Sequence, residues 1–150
     1  MLLSFFLKVP TKIFINSVDE VLRYEQVPLV GTNIEFSDFV LVSMQSTKTD
    51  KSVKDLSMKQ RKCIFANDVQ LKYSKEPYTY SGCLKECKID RAIEFCGCLP
   101  PFYAPKNFTT CGLESLKCLK DERIWDVGKC EHCELACDFT VFSLEKVQKQ

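Results

Sequence analysis

The sequence predicts an α+β fold: antiparallel strands, then a disulfide-riveted helical region, then a closing strand. Three observations carry this. Short runs rich in β-branched and aromatic residues occupy the first third, one well-delimited helix lies near the middle, and all ten cysteines fall between Cys63 and Cys137. A chain of 150 residues suits one domain, or a domain with an appended segment, and can bury roughly 70% of its unfolded surface. With 45% apolar and 27% charged residues the composition is that of a globular chain rather than a disordered one. The net charge of +1 leaves no large field to hold nucleic acid or an anionic membrane, and a single histidine argues against a His-rich metal site or a histidine-based triad.

The first strand candidates are residues 12–16 (Lys-Ile-Phe-Ile-Asn), 27–30 and 39–44, with Gly31-Thr-Asn33 as a break between the last two. From Lys48 to Lys62 the chain turns polar and basic, with six Lys/Arg against Asp50 and Asp55. This reads as a solvated helix or connector; a polyanion patch or a processing site around Lys59-Gln-Arg-Lys62 is the functional alternative. The central helix runs from about Ser81, a possible N-cap, to Phe95, and Gly97 with Pro100-Pro101 stops it. A second helix is expected from Gly112 to about Asp126, with Thr110 as cap and Gly128 as terminator. Asp138-Phe-Thr-Val-Phe-Ser143 reads as the closing strand.

An even, dense set of cysteines implies disulfides made in an oxidising compartment. Zinc is the competitor, but the spacings are mostly CxxxC (Cys83/Cys87, Cys133/Cys137) and CxC (Cys96/Cys98), with a lone CxxC at Cys130/Cys133. Ten thiols also do not divide into tetrahedral fours. Asn107-Phe108-Thr109, the one N-glycosylation sequon, agrees with passage through the secretory lumen and makes Asn107 the candidate glycan acceptor. Neither the short apolar start, Met1 to Leu7, nor any later run reaches the ~20 residues of a membrane span. The expectation is therefore a part of a longer polypeptide.

Hundreds of pairings of ten cysteines are conceivable. Two cysteines one helical turn apart, Cys83 and Cys87, can face Cys133 and Cys130 if the segments run antiparallel. That arrangement pairs Cys83–Cys133 and Cys87–Cys130, with Cys63–Cys137 outside them. Cys96–Cys118 and Cys98–Cys111 could follow in the same nested sense. The outermost bond closes a loop of about 75 residues, which the chain-entropy picture values at roughly 4.5 kcal/mol.

These residues resemble a known family. Arg61-Lys-Cys63, Cys83-Leu-Lys-Glu-Cys87, Cys96-Gly-Cys98-Leu-Pro100 and the run Cys111, Cys118, Cys130, Cys133, Cys137 are similar to the thumb of degenerin/epithelial sodium channels. Ile13 to Glu20 and Gln60 to Phe65 look like the insect pickpocket branch. The resemblance is strong from about Lys59 to Phe142 and weaker from Lys12 to Thr49. It implies palm-type strands with a connector at 1–58, a thumb at 59–137 and a closing palm strand at 138–150. It implies a nested thumb ladder of the same pairing.

It also implies an amiloride-sensitive, sodium-selective channel, assembled with other subunits as a homo- or heterotrimer. Such a channel would lie in the plasma membrane with this region on its extracellular side, its thumb relaying external signals to the pore. Sodium ions would be the permeant species. The membrane helices and selectivity filter of the family have no counterpart in these 150 residues. The expectation is an ectodomain fragment that does not conduct by itself and meets the membrane only through segments missing here, with no pore residues, catalytic residues, metal or cofactor.

Two other classes stand against this reading. One is a free-standing secreted cysteine-rich binding or inhibitor protein. The other is an enzyme using a reactive cysteine with His132, for which a cysteine without a partner would be needed. His132 is otherwise expected at the base of the thumb as an exposed imidazole able to bias a proton-sensitive state. Tyr78, Tyr80, Phe95, Phe102, Tyr103 and Trp125 are expected to pack between the thumb and the strands. Asp121, Glu122 and Asp126 are expected on a solvated helix face, with a cation- or proton-sensing cluster as the alternative.

Overall fold

A computed structural model describes residues 14–15, 39–101, 103 and 108–148. The strand expected at 27–30, Phe102 and Asn107 lie outside the described residues, as does most of 12–16. The chain divides into two compact units, one containing 39–48 and 138–148, the other Thr49–Cys137.

In the first unit, β1 (Phe39–Thr47) pairs antiparallel with β2 (Phe139–Gln148). Both runs are rich in Val, Phe, Thr and Leu, residues that suit a pleated surface. The register sets Thr47 opposite Phe139 and Phe39 opposite Gln148, with one irregularity between Leu41 and Val42. Each strand outruns its sequence-based length because the partner satisfies the backbone groups of polar stretches that have no strand signal of their own.

The second unit begins with a 3-10 turn, Lys51–Asp55, and a short helix α1 (Met58–Arg61). Its main element is α2 (Tyr80–Cys96). The N-cap is Thr79, one step before the helix and two before the expected Ser81: its Oγ1 accepts from Gly82 N at 3.0 Å, while Ser81 lies buried inside the first turn. Gly82 leaves room beside it: a Cβ would meet Leu71 Cδ1 at 2.7 Å and the capping Thr79 Oγ1 at 2.9 Å, and one or both would have to shift. Gly97 ends α2 at φ +66°, donating to Ile93 O at 2.9 Å, as a left-handed C-terminal glycine does.

The expected second helix is a correction. The segment is a 3-10 turn (Ser115–Lys120), a one-turn helix α3 (Glu122–Trp125) and a further 3-10 turn (Val127–Lys129). Thr110 does not cap it; Thr110 lies in an extended bridge beside Leu99, with Leu99 N donating to Thr109 O and Cys111 N to Leu99 O. Asp121 breaks the helix in mid-course. Its backbone is extended (ψ 114°), and its carboxylate accepts from Arg123 N at 3.0 Å, offering the chain a fresh cap in place of continuous helix.

Two buried clusters lie along α2. Around its first half, Ile64, Leu71, Tyr78 and Leu84 surround Cys83, Cys87, Cys130 and Cys133. Around its second half, Ile89 and Ala92 pack with Leu99, Tyr103, Leu119 and Ile124. Among the described residues no helix is long and apolar enough to cross a membrane.

Candidate functional site: a crosslinked helix

The chemistry-bearing residues of the second unit are its cysteines, and α2 carries three of them, Cys83, Cys87 and Cys96. Cys83 and Cys87 are one turn apart and so share a face; the returning chain meets them at Cys133 and Cys130, with Cα–Cα distances of 5.7 and 6.0 Å. Cys96, the last residue of α2, is bonded to Cys118 across 5.9 Å, and Cys98 to Cys111 across 5.0 Å. Cys63–Cys137, at 4.9 Å, closes the base. Each bond lies inside the one before it, with sequence separations of 74, 50, 43, 22 and 13, and no cysteine is free.

Main-chain contacts reinforce the base. Ile64 N donates to Leu135 O and Cys137 N to Ile64 O, both at 2.9 Å, while the Thr49 hydroxyl donates to Cys137 O at 2.5 Å. Tyr78 is buried, and its hydroxyl donates to Glu134 O at 2.6 Å. Burial, aided by the nearby Glu134 charge, pushes its phenol up to about 12.

Two acidic residues of α2 clamp the loop before it. The Glu86 carboxylate accepts from Lys72 N (2.8 Å) and Tyr73 N (2.5 Å). Asp90 accepts from Lys72 Nζ at 2.7 Å and from the Tyr73 hydroxyl. Partial burial works against the Asp90 carboxylate, but those donors outweigh it and hold the group below the usual carboxylate range. The same contact raises Lys72. On the other flank, the Arg91 guanidinium donates to the carbonyls of Arg123 and Asp126, the latter at 3.3 Å, tying α2 to α3. Trp125 stacks on Tyr103 with centroids 5.8 Å apart and donates its indole N–H to Leu119 O at 2.7 Å.

These contacts redistribute several of the sequence expectations. Tyr78, Tyr103 and Trp125 pack inside the cysteine-rich unit itself, because each finds a carbonyl or a ring there, and Phe95 is exposed. Asp121 and Asp126 serve as local caps. Asp121 pairs with the Arg123 side chain, which draws its carboxyl down to about 2, and Asp126 accepts from Gly128 N at 2.9 Å. Glu122 is exposed.

Within the segment read as connector, basic patch or processing site, Arg61 is engaged in the fold rather than held out in solvent. Its side chain is 5% exposed, its Nε donates to Cys63 O at 2.9 Å, it pairs with Asp68, and its guanidinium lies 5.0 Å from the Phe65 ring centroid. The lysines around it are solvated. Glu86 and Arg91 carry no signal in the sequence because their partners are backbone groups, and Asp90 carries none because its side-chain partners, Lys72 and Tyr73, are brought to it only by the fold.

Cys83, Cys133 and His132 bring potential ligand atoms within 4.8 Å of one another. The donor set does not fit a metal, since the two sulfurs are bonded to each other and offer no thiolate. The same bonding leaves no thiol to act as a nucleophile with the exposed His132.

Fold and site together define a class: a disulfide-crosslinked α+β module of the kind built in an oxidising compartment. The chain belongs to the family described as amiloride-sensitive sodium channel, whose model matches residues 8–150, and it is a pickpocket-like member of that degenerin/epithelial sodium channel group. It is 27% identical over 109 residues to sodium channel protein Nach of Drosophila ananassae (71% of this chain, 21% of the relative). It is 27% identical over 120 residues to sodium channel protein Nach of Drosophila melanogaster (71% and 22%). It is 31% identical over 101 residues to pickpocket protein 11 of the same fly (63% and 19%). The matched stretch thus spans about a fifth of the length of these curated relatives, and the family and the two Nach proteins are sodium channels rather than enzymes.

Proposed function

We propose that this chain is ectodomain material of a sodium-selective, amiloride-sensitive channel subunit, and that its crosslinked helix acts as a lever between extracellular signals and a pore formed elsewhere in the subunit. In this reading 1–58 and 138–150 contribute palm strands and 59–137 the thumb. The subunit assembles as a homo- or heterotrimer in the plasma membrane, with this region outside the cell. The observation that carries the reading is the nested set of five disulfides, three of them anchored on one helix and the other two at its flanks. A crosslinked helix has few soft degrees of freedom, so a displacement at one end arrives at the other rather than dissipating in side-chain rearrangement.

The test is electrophysiological. A full-length subunit carrying these residues, expressed in cells without background channels, should pass an amiloride-blocked inward sodium current. The double variant Cys87→Ser/Cys130→Ser should alter open probability and its dependence on stimulus while leaving unitary conductance and selectivity unchanged. A change in conductance or selectivity would place these residues at the permeation path and end the lever reading. Inhibition of an intact channel by the secreted 150-residue chain alone would favour a free-standing binding protein.

A further inference from the structure

We propose that Cys96–Cys118 is a thiol-exchange site, the one rung of the five that an extracellular dithiol reductant opens selectively. The inference stands on the geometry of the disulfides and is independent of any channel activity. Six of the ten cysteines are buried: Cys83, Cys87, Cys98, Cys130, Cys133 and Cys137. Every rung except Cys96–Cys118 contains at least one of them. Cys96 and Cys118 are both partly exposed.

The distinction matters because exchange needs access twice. The attacking thiolate must approach one sulfur in line with the S–S bond, and the displaced sulfur must leave as a thiolate that water can solvate. In a rung with one buried sulfur, one direction of attack is blocked and the other expels a thiolate into an apolar site, where burial opposes the charged form. Only Cys96–Cys118 escapes both penalties.

The surroundings suit an opened state as well. Cys118 Sγ lies 3.6 Å from the carbonyl oxygen of Phe95; bonded to Cys96 it has no hydrogen to donate, but once reduced its S–H has an acceptor in place. The rung joins the end of α2 to the Ser115–Lys120 turn; its cysteines pack against the second buried cluster on one side without being enclosed by it, and Phe95 and Leu116, their neighbours along the chain, are exposed.

The chemistry balances with the dithiol as reductant. One of its thiolates attacks Sγ of Cys96 or Cys118, the cystine S–S bond breaks, and the displaced sulfur leaves with the bonding pair and takes a proton from water. The reductant's second thiolate then attacks its own sulfur in the mixed disulfide, expelling the remaining cysteine thiolate, which is protonated in turn. Two electrons pass from the dithiol to the protein, and the dithiol becomes a disulfide. The Ser115–Lys120 turn is released from the helix end while Cys83–Cys133 and Cys87–Cys130 stay closed.

Brief exposure of the oxidised 150-residue chain to dithiothreitol, a quench with one alkylating reagent, full reduction and labelling with a second reagent would read each cysteine separately. Cys96 and Cys118 should take the first label together, about tenfold faster than any other pair. The double variant Cys96→Ser/Cys118→Ser should lack that fast phase and keep the slow ones. First labelling at Cys63/Cys137 or Cys98/Cys111, simultaneous labelling of all ten cysteines, or a fast phase that survives in the double variant would each overturn the proposal.

Discussion

The two halves of α2 are held by different means. Half of the eight buried residues around its beginning are cysteines, whereas the six buried residues around its end include none and are aliphatic or aromatic apart from Ala92. The sulfur-rich half encloses its two cystines among Ile64, Leu71, Tyr78 and Leu84, so covalent bonds and apolar contact act there together. The other half has Ile89, Leu99 and Ile124 almost fully enclosed, and its nearest rung, Cys96–Cys118, sits at the margin of the cluster. Each half carries two rungs; those of the first are enclosed in its cluster, while Cys96, Cys111 and Cys118 only flank the second.

The largest expected effect tests the crosslinked end. With the neighbouring rung intact, Cys83–Cys133 and Cys96–Cys118 each close a connected loop of only about ten residues, for roughly 2.5 kcal/mol of chain entropy. Cys83→Ser/Cys133→Ser should nevertheless lower unfolding free energy by about 4 kcal/mol in a denaturant titration, because it also leaves hydroxyls at two buried positions, and Cys96→Ser/Cys118→Ser, at partly exposed ones, by about 2.5 kcal/mol. Equal losses would erase the distinction between the halves.

Ile124→Ala, at the packed end, should cost about 3 kcal/mol through lost contact and the cavity left behind. Combined with Cys96→Ser/Cys118→Ser it should be non-additive, and combined with Cys83→Ser/Cys133→Ser close to additive, because only the first combination acts on one cluster.

The smallest effect concerns Tyr78, whose hydrogen bond to Glu134 O belongs to the sulfur-rich half. Tyr78→Phe should cost about 1 kcal/mol at neutral pH. Its folded pKa stands near 12, above the unfolded value of about 10. The contribution is therefore complete below pH ~10 and is lost as pH rises towards ~12. The Phe variant should show a flatter stability curve across that window. An unchanged alkaline slope would place the titration elsewhere.

What could be read from the sequence follows the same division. Cysteine spacing is a geometric statement: four residues apart on a helix is one turn, and an antiparallel return lets Cys83/Cys87 meet Cys133/Cys130, although Cys133/Cys137 shares the spacing and the full ladder comes with the family resemblance. The end of α2 is equally readable, because Gly97 has a conformational reason to be there. The packed half is harder. Its second helix looks continuous in Leu113, Leu116 and Cys118, yet Asp121 diverts the backbone and the Cys98–Cys111 bond draws the preceding segment into extended pairing beside Leu99. Arg61 and Arg91 are invisible for a related reason: they bond carbonyls brought near by the fold, and a basic residue among basic neighbours reads as solvated.

The base of the crosslinked unit has a consequence for folding order. Topologically β1 and β2 are the arms of one hairpin, and its loop is everything from Lys48 to Asp138. Closing so long a contour is entropically unfavourable and kinetically slow, since non-local pairing requires the loop to close before any ladder bond forms. The Cys63–Cys137 bond short-circuits that contour. Once it exists, the path from Thr47 to Phe139 runs down to Cys63, across the sulfurs and back from Cys137, and the strands become near neighbours along the connected chain. Oxidation of a single pair of cysteines, Cys63 and Cys137, thereby turns the most distant pairing in the described structure into a local one.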